Sequence, residues 1–199
     1  DAGGHDPNAA KWKDLVSANA GAYDLTVSSA HGSWNDTALV TDGLGSGATN
    51  KKSPPADVQA MEGCYTFDSA QPSVSGVIYS SGLDDGTKMT YQITLLTTER
   101  GLIFGGNVPM FAIGNDYSGT HSVCWMREGQ KAYYDGNQLV GKGKHDGFNL
   151  VSSRLGKQSV GALLNETGNL IPVKMHAIRF YDRKLTADEI AFNSNVDQV

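Results

Sequence analysis

Short runs rich in Val, Ile, Thr, Tyr and Phe recur along the chain, separated by glycine, which makes up 24 of its 199 residues. Runs of this length and makeup suit pleated strands, and the glycines between them suit turns that need positive backbone angles. The rhythm predicts an all-β chain built as an antiparallel sandwich or barrel. Strands are expected at 22–27, 36–41, 58–67, 74–81, 88–98, 101–105, 108–113, 121–127, 131–134, 137–141, 148–152, 158–163 and 172–181. The clearest hairpin is "YYDGNQLV", because Asp135 and Gly136 tolerate the positive φ of a tight primed turn. "SSGLDDGTKM" reads as a looser one. The segment 43–56, "GLGSGATNKKSPPA", reads as a long surface loop, since strand patterning resumes on both sides of it. With no internal repeat and a length normal for one domain, residues 1–199 are expected to form a single domain.

The chain closes on "MHAIRFYDRKLTADEIAFN", residues 175–193. Ile178 and Phe180 are expected on one face of a strand, and Met175, Ala177 and Tyr181 on the other, so both faces are covered as in a central strand. Asp182 and Arg183 turn the chain. Thr186 stands three residues before Glu189, the spacing of a capping box, and Leu185 and Ile190 bracket it as a hydrophobic staple. These signals predict a helix over 187–194, docked by Ile190 and Phe192.

Sixteen basic residues against twenty-one acidic ones give a net charge of −5, and no basic run exceeds the pair Lys51 and Lys52. That pattern does not suit a surface tracking nucleic-acid phosphates, and nucleic acid is not an expected partner. Apolar runs fall well short of the ~18 residues a membrane-spanning helix needs. Asp1 opens the chain without Met and without a charged-then-apolar leader, which reads as a mature or excised segment of a longer protein. Cys64 and Cys124 belong to no CxxC pair, so zinc is not suggested. They read equally as a disulfide of an exported protein or as two buried small apolar residues. His5, His31, His121, His145 and His176 are scattered. The acidic pair Asp84 and Asp85 reads as a solvated hairpin tip rather than as a calcium site, and no metal ligand or cofactor is assigned.

Catalysis is not expected. The five glutamates (Glu62, Glu99, Glu128, Glu166, Glu189) include no two within four residues of each other. A sandwich glycosidase of the retaining type would hold two carboxyl groups about 5 Å apart, for which alternation along one strand is the sequence sign. No GxSxG, HExxH or Walker pattern occurs, and "GKGKHDG" follows a hairpin rather than opening a helix. What remains are polar, glycine-rich loops. "GNDYSGTH" sets Asn115, Asp116 and Tyr117 between two apolar strands, and "GKHDG" adds His145 and Asp146. An aromatic face can stack on the apolar face of a pyranose while planar amides and carboxylates take its hydroxyls. These five are the candidate glycan-binding residues. Trp12, Trp34 and Trp125 lie in or beside strands and are expected to pack in the core or at its edges.

Four stretches, "KWKDLVSANAGAYDL", "VQAMEGCYTF", "HSVCWMREGQKAYYDGNQLV" and "VKMHAIRFYDRKLTADEIAFN", resemble in order and spacing the bacterial laminin G-like domains of the concanavalin A-like lectin/glucanase superfamily. The closing strand with its R-x-Y-x-R-x-L-T-x-x-E-I helix start is the most specific part. The resemblance implies a jelly-roll sandwich of two antiparallel sheets with a short C-terminal helix. It further implies a secreted or cell-surface location, neighbouring domains of a parent protein as partners, and carbohydrate binding or a spacer role. Two departures stand out. Relatives often carry Asp where this chain has His176, at a position that holds a structural calcium, and a neutral imidazole is a poor ligand for a hard cation. The strand-borne glutamates of the glucanase branch are missing.

Overall fold

A computed structural model of the chain describes residues 8–35, 37–44, 47–50, 57–67, 76–82, 89–96, 101–104, 109–112, 118–139, 141–144, 158–160 and 172–198. For 76–82, 89–96, 101–104, 109–112, 141–144 and 158–160 the description is of the backbone. In chain order the strands are β1 (Lys11–Trp12), β2 (Leu25–Val27), β3 (Gly32–Trp34), β4 (Leu39–Thr41), β5 (Ala48–Asn50), β6 (Ala60–Phe67), β7 (Gly76–Gly82), β8 (Met89–Leu96), β9 (Gly101–Phe104), β10 (Pro109–Ala112), β11 (Gly119–Met126), β12 (Lys131–Tyr134), β13 (Asn137–Gln138), β14 (Gly141–Lys144), β15 (Gln158–Val160) and β16 (Lys174–Tyr181), followed by helix α1 (Ala187–Asp197). They form a nine-stranded sheet, β1-β2-β5-β15-β7-β8-β9-β10-β14, and a seven-stranded sheet, β13-β12-β11-β6-β16-β4-β3. Every pairing among the described residues is antiparallel.

The core between the sheets joins Leu25 and Ala48 of the larger sheet to Leu39, Met61, Tyr65, Phe67, Val123, Trp125 and Met175 of the smaller. In β6 the inward residues Met61, Tyr65 and Phe67 alternate with Ala60, Glu62 and Cys64, and both sets are buried. The outward set is covered by α1, because Ala60 packs with Cys124, Met126, Leu185 and Ile190. The central strands β6, β11 and β16 therefore lie between the sandwich core and the helix. Trp12 and Trp34, on edge strands of the two different sheets, meet edge to face at 6.0 Å, and Trp34 Nε1 donates to the Ala9 carbonyl at 2.8 Å. Aromatic sealing of the sandwich edge is the role expected of them.

The closing unit forms as its residues dictate. Thr186 Oγ1 accepts from the Glu189 amide at 3.2 Å while Glu189 Oε2 accepts from the Thr186 amide at 2.8 Å, the reciprocal capping box. Leu185 and Ile190 are both buried and touch in one cluster. Two details differ from expectation. The helix runs on to Asp197, and Phe192 is 67% exposed, so Ile190 and Ser194 make the docked face instead. In β16 the pairing with β6 slips one residue between Met175 and Ala177. That bulge at His176 turns Met175 onto the core face with Ile178 and Phe180, away from the Ala177 face where simple alternation would set it.

The two-residue turn of "YYDGNQLV" has φ of 49° at Asp135 and 75° at Gly136, and pairs Tyr134 with Asn137. Four short strands, β1, β3, β5 and β14, were not foreseen. β5 lies inside the segment read as a loop and ladders with both β2 and β15. β14 is the "GKGK" strand that pairs with β10 at the edge of the nine-stranded sheet. The strand expected at 148–152 and the tip at Asp84 and Asp85 lie outside the described residues.

Candidate functional site

The glycan loops expected from the sequence spring from the β10–β14 ladder. Asn115, Asp116 and Tyr117 lie outside the described residues, as do His145 and Asp146; the strands that carry both segments are described. Pro109 pairs with Lys144 and Phe111 with Gly141. The chain leaves β10 at Ala112 and leaves β14 at Lys144, so the two segments exit opposite ends of a four-residue ladder. At ~3.4 Å per residue those exits are about 10 Å apart. The first segment then passes from the nine-stranded sheet to Ser118 and β11 of the seven-stranded one.

Described polar side chains form several groups on the seven-stranded sheet. The most buried group lies beneath α1. Glu62 is 4% exposed and its Oε2 accepts from Tyr181 Oη at 2.7 Å and from Asn193 Nδ2 at 2.9 Å. Burial raises the Glu62 carboxyl above the ordinary carboxylate range, opposed by the Tyr181 hydrogen bond, the Arg179 charge and Asn193. Arg179, 4.0 Å from Glu62, makes a two-pronged pair with Asp197, Nη1 to Oδ2 and Nη2 to Oδ1, each 2.6 Å. Those contacts join β6, β16 and both turns of the helix that face them. The group is a lock for the helix, because each polar atom named is directed at another element of the fold. The other described glutamates are likewise engaged at the surface, Glu128 with Lys184 and Glu189 with Arg183.

His176, at the bulge, has Nε2 2.7 Å from Thr66 Oγ1 and Nδ1 3.3 Å from the Thr37 carbonyl, and Thr66 Oγ1 is 2.7 Å from Thr120 Oγ1. Its pKa is lowered, chiefly by burial. A ring nitrogen that donates to the Thr37 carbonyl occupies the lone pair a cation would coordinate. Among the described residues no three His, Cys, Asp or Glu side chains converge as a metal site. Calcium takes oxygen ligands, and the His176 imidazole, engaged with Thr66 and the Thr37 carbonyl, offers it none. On the inner face of the sheet, on β11 next to Thr120, His121 stands between Asp135 Oδ2 at 2.9 Å and the Ser118 carbonyl at 3.0 Å. His31 and Asp42 meet at 3.0 Å near the surface.

Cys64 and Cys124 are both free and buried. Cys64 pairs with Ser122 and Cys124 with Glu62 across β6 and β11, so the thiols are diagonal neighbours rather than directly opposed. Burial pushes Cys64 up to about 12 and Cys124 further. The His121–Asp135 and Arg179–Asp197 pairs escaped sequence reasoning. The first spans a hairpin fourteen residues deep and the second joins strand to helix, and neither leaves a spacing sign without the register.

No family model matches the chain, and no curated protein does. Solved structures match it. Trypanosoma rangeli sialidase aligns with a TM-score of 0.66 at 18% identity, over 96% of this chain and 31% of its own. The same sialidase in complex with 2,3-difluorosialic acid gives 0.68 at 17% identity, over 96% of this chain and 32% of its own. The binding domain of botulinum neurotoxin DC, in complex with rat synaptotagmin II, gives 0.51 at 10% identity, over 76% of this chain and 40% of its own. The chain spans about a third of the length of the sialidases it matches. At these identities the likeness is one of fold: two antiparallel sheets packed as a sandwich, with a short C-terminal helix.

Proposed function

We propose that the chain is a non-catalytic carbohydrate-binding module of an exported protein, which holds a parent enzyme or adhesin on glycans. The observation that carries this reading is the match of 96% of the chain to about a third of a sialidase, which sets a module of this fold within an enzyme named for a glycan substrate. The laminin G-like resemblance of the sequence points the same way and adds the bacterial, secreted or cell-surface setting. Neighbouring domains of the parent protein are then its covalent partners. The contacts are assigned to Asn115, Asp116 and Tyr117, with His145 and Asp146 as a second loop. The absence of catalysis is proposed on chemistry: the described glutamates are held by structural partners, and Glu62, the buried one, is covered by α1.

The test is titration of the chain with glycans, sialylated ones first. Loops of this kind build a shallow site, for which a dissociation constant of about 10 µM to 1 mM is expected. Tyr117→Ala should weaken binding by on the order of 1 kcal/mol through lost stacking, whereas changes at Asp84 and Asp85 should leave it intact. A second reading, a protein-interaction or spacer module without sugar binding, draws on the neurotoxin binding domain, whose structure holds a protein. Silence across a broad glycan panel would favour it.

A further inference from the structure

We propose that His121 is held as an imidazolium by the geometry around it and serves as a pH-dependent clasp fastening β11, the β12–β13 turn and the end of α1. Its Nδ1 lies 2.9 Å from Asp135 Oδ2 and its Nε2 lies 3.0 Å from the Ser118 carbonyl oxygen. A carboxylate and a carbonyl accept hydrogen bonds and donate none. A neutral imidazole has one N–H, so one of these contacts would set lone pair against lone pair. Both are satisfied only when both ring nitrogens carry protons. The ring also stacks on Tyr134, with centroids 4.8 Å apart and planes 24° apart, an arrangement that favours a cation over the aromatic face.

The clasp reaches three elements because Asp135 is shared. Its Oδ1 accepts from the Ser122 amide of β11 at 2.9 Å and from Gln198 Nε2, just past α1, at 2.8 Å. Among the described residues the titratable groups facing the ring are Asp135 on the turn, Tyr134 on β12 and Tyr65 on β6, whose ring is 6.2 Å away. Phenols keep their protons throughout the histidine range, and Asp135 is the charged group among these three.

His176 is the built-in contrast, on the opposite face of the sheet beside Thr120. Its partners are a hydroxyl and a carbonyl, with Thr66 free to donate to Nε2 while Nδ1–H donates to Thr37, so a neutral ring is fully satisfied. Its charged neighbours are Lys174, which opposes protonation, and Asp197, which favours it, with burial the largest influence and against the charge. The two histidines therefore act with opposite sign. His121 binds a proton in the folded chain that the unfolded chain releases near pH ~6.5, so its stabilisation is complete below that value and is lost as pH rises. His176 binds its proton more weakly folded than unfolded, so its contribution is complete above that value and declines as pH falls below it.

The experiment is ring-nitrogen NMR of the intact chain from pH 5.5 to 9, with His121 assigned by its contact to the Tyr134 ring. The expected result is a doubly protonated His121 persisting at least about one pH unit beyond the ordinary histidine midpoint of ~6.5, while His176 stays neutral, with its proton on Nδ1, at pH 6. Asp135→Asn should bring the His121 midpoint down by about one unit or more, and His121→Gln should flatten the fall in melting temperature above pH 7. A His121 ring with a single protonated nitrogen at pH 7 would overturn the proposal, and so would an unchanged midpoint in Asp135→Asn.

Discussion

Glu62 is the residue at which burial and charge are most directly in conflict. Its carboxyl lies under α1 with two neutral donors on one oxygen and Arg179 4.0 Å away, and desolvation raises its pKa. An acid whose folded pKa is raised is bound to its proton more firmly folded than unfolded, so stability declines as pH rises from ~4.5 through the raised value. Glu62→Gln keeps an oxygen for Tyr181 and Asn193 and carries no charge. Its melting temperature should therefore lack that decline, and a variant that keeps the wild-type slope would place the titration elsewhere. Arg179→Met should cost about 1 to 3 kcal/mol, because it leaves the largely buried carboxylate of Asp197 without its half-exposed partner. The cysteines make a third prediction at this scale. Two thiols should titrate freely in the denatured, unreduced chain, and reductant should leave the melting curve in place; a mass two hydrogens short would mean a bridge. Little of this was legible in the sequence. The thiols were visible but not their offset, which depends on the β6–β11 register, and His176 was visible but not the bulge at which it sits.

At the scale of elements, α1 is where the sequence spoke most plainly. Eleven residues are too few for a stable helix in water, so its existence rests on the cap and on docking. Thr186→Ala should cost on the order of 1 kcal/mol by removing the cap. Ile190→Ala should cost about 2 to 5 kcal/mol by leaving a cavity against Ala60 and Met126, whereas Phe192→Ala, at an exposed position, should stay within about half a kcal/mol. Denaturant unfolding of the three variants checks the order, and a costly Phe192→Ala would mean the helix docks on another face. Capping is local chemistry and can be read from five residues. Which apolar residue turns inward depends on where the helix axis settles on the sheet, and Phe192 shows that periodicity alone does not fix it. The short strands follow the same logic. β5 is three residues with Ala48 fully buried, held by ladders to β2 and β15, partners too distant in sequence to leave a local sign. The bulge at His176 bears on metal binding too. With its imidazole donating to Thr37, EDTA should not shift the melting curve, and a drop of several degrees restored by calcium would mean that other oxygens build a site.

For the whole molecule, the alternation of short β-runs and glycine gave an antiparallel sandwich or barrel, the laminin G-like resemblance chose the sandwich, and the closing unit gave the C-terminal helix. The arrangement of nine strands against seven was not readable, because sheet order is set by pairing between segments far apart in the chain. The same holds for the candidate site. Its residue types were legible in "GNDYSGTH" and "GKHDG", but only the β10–β14 register reveals that the two segments leave opposite ends of one ladder. The account rests on that sandwich serving as a glycan-binding surface. Calorimetric titration of the chain with sialylated, plant and mucin-type glycans tests it most directly: saturable binding between about 10 µM and 1 mM, weakened by Tyr117→Ala and without release of reducing sugar, is the predicted result, and silence across the panel would contradict it.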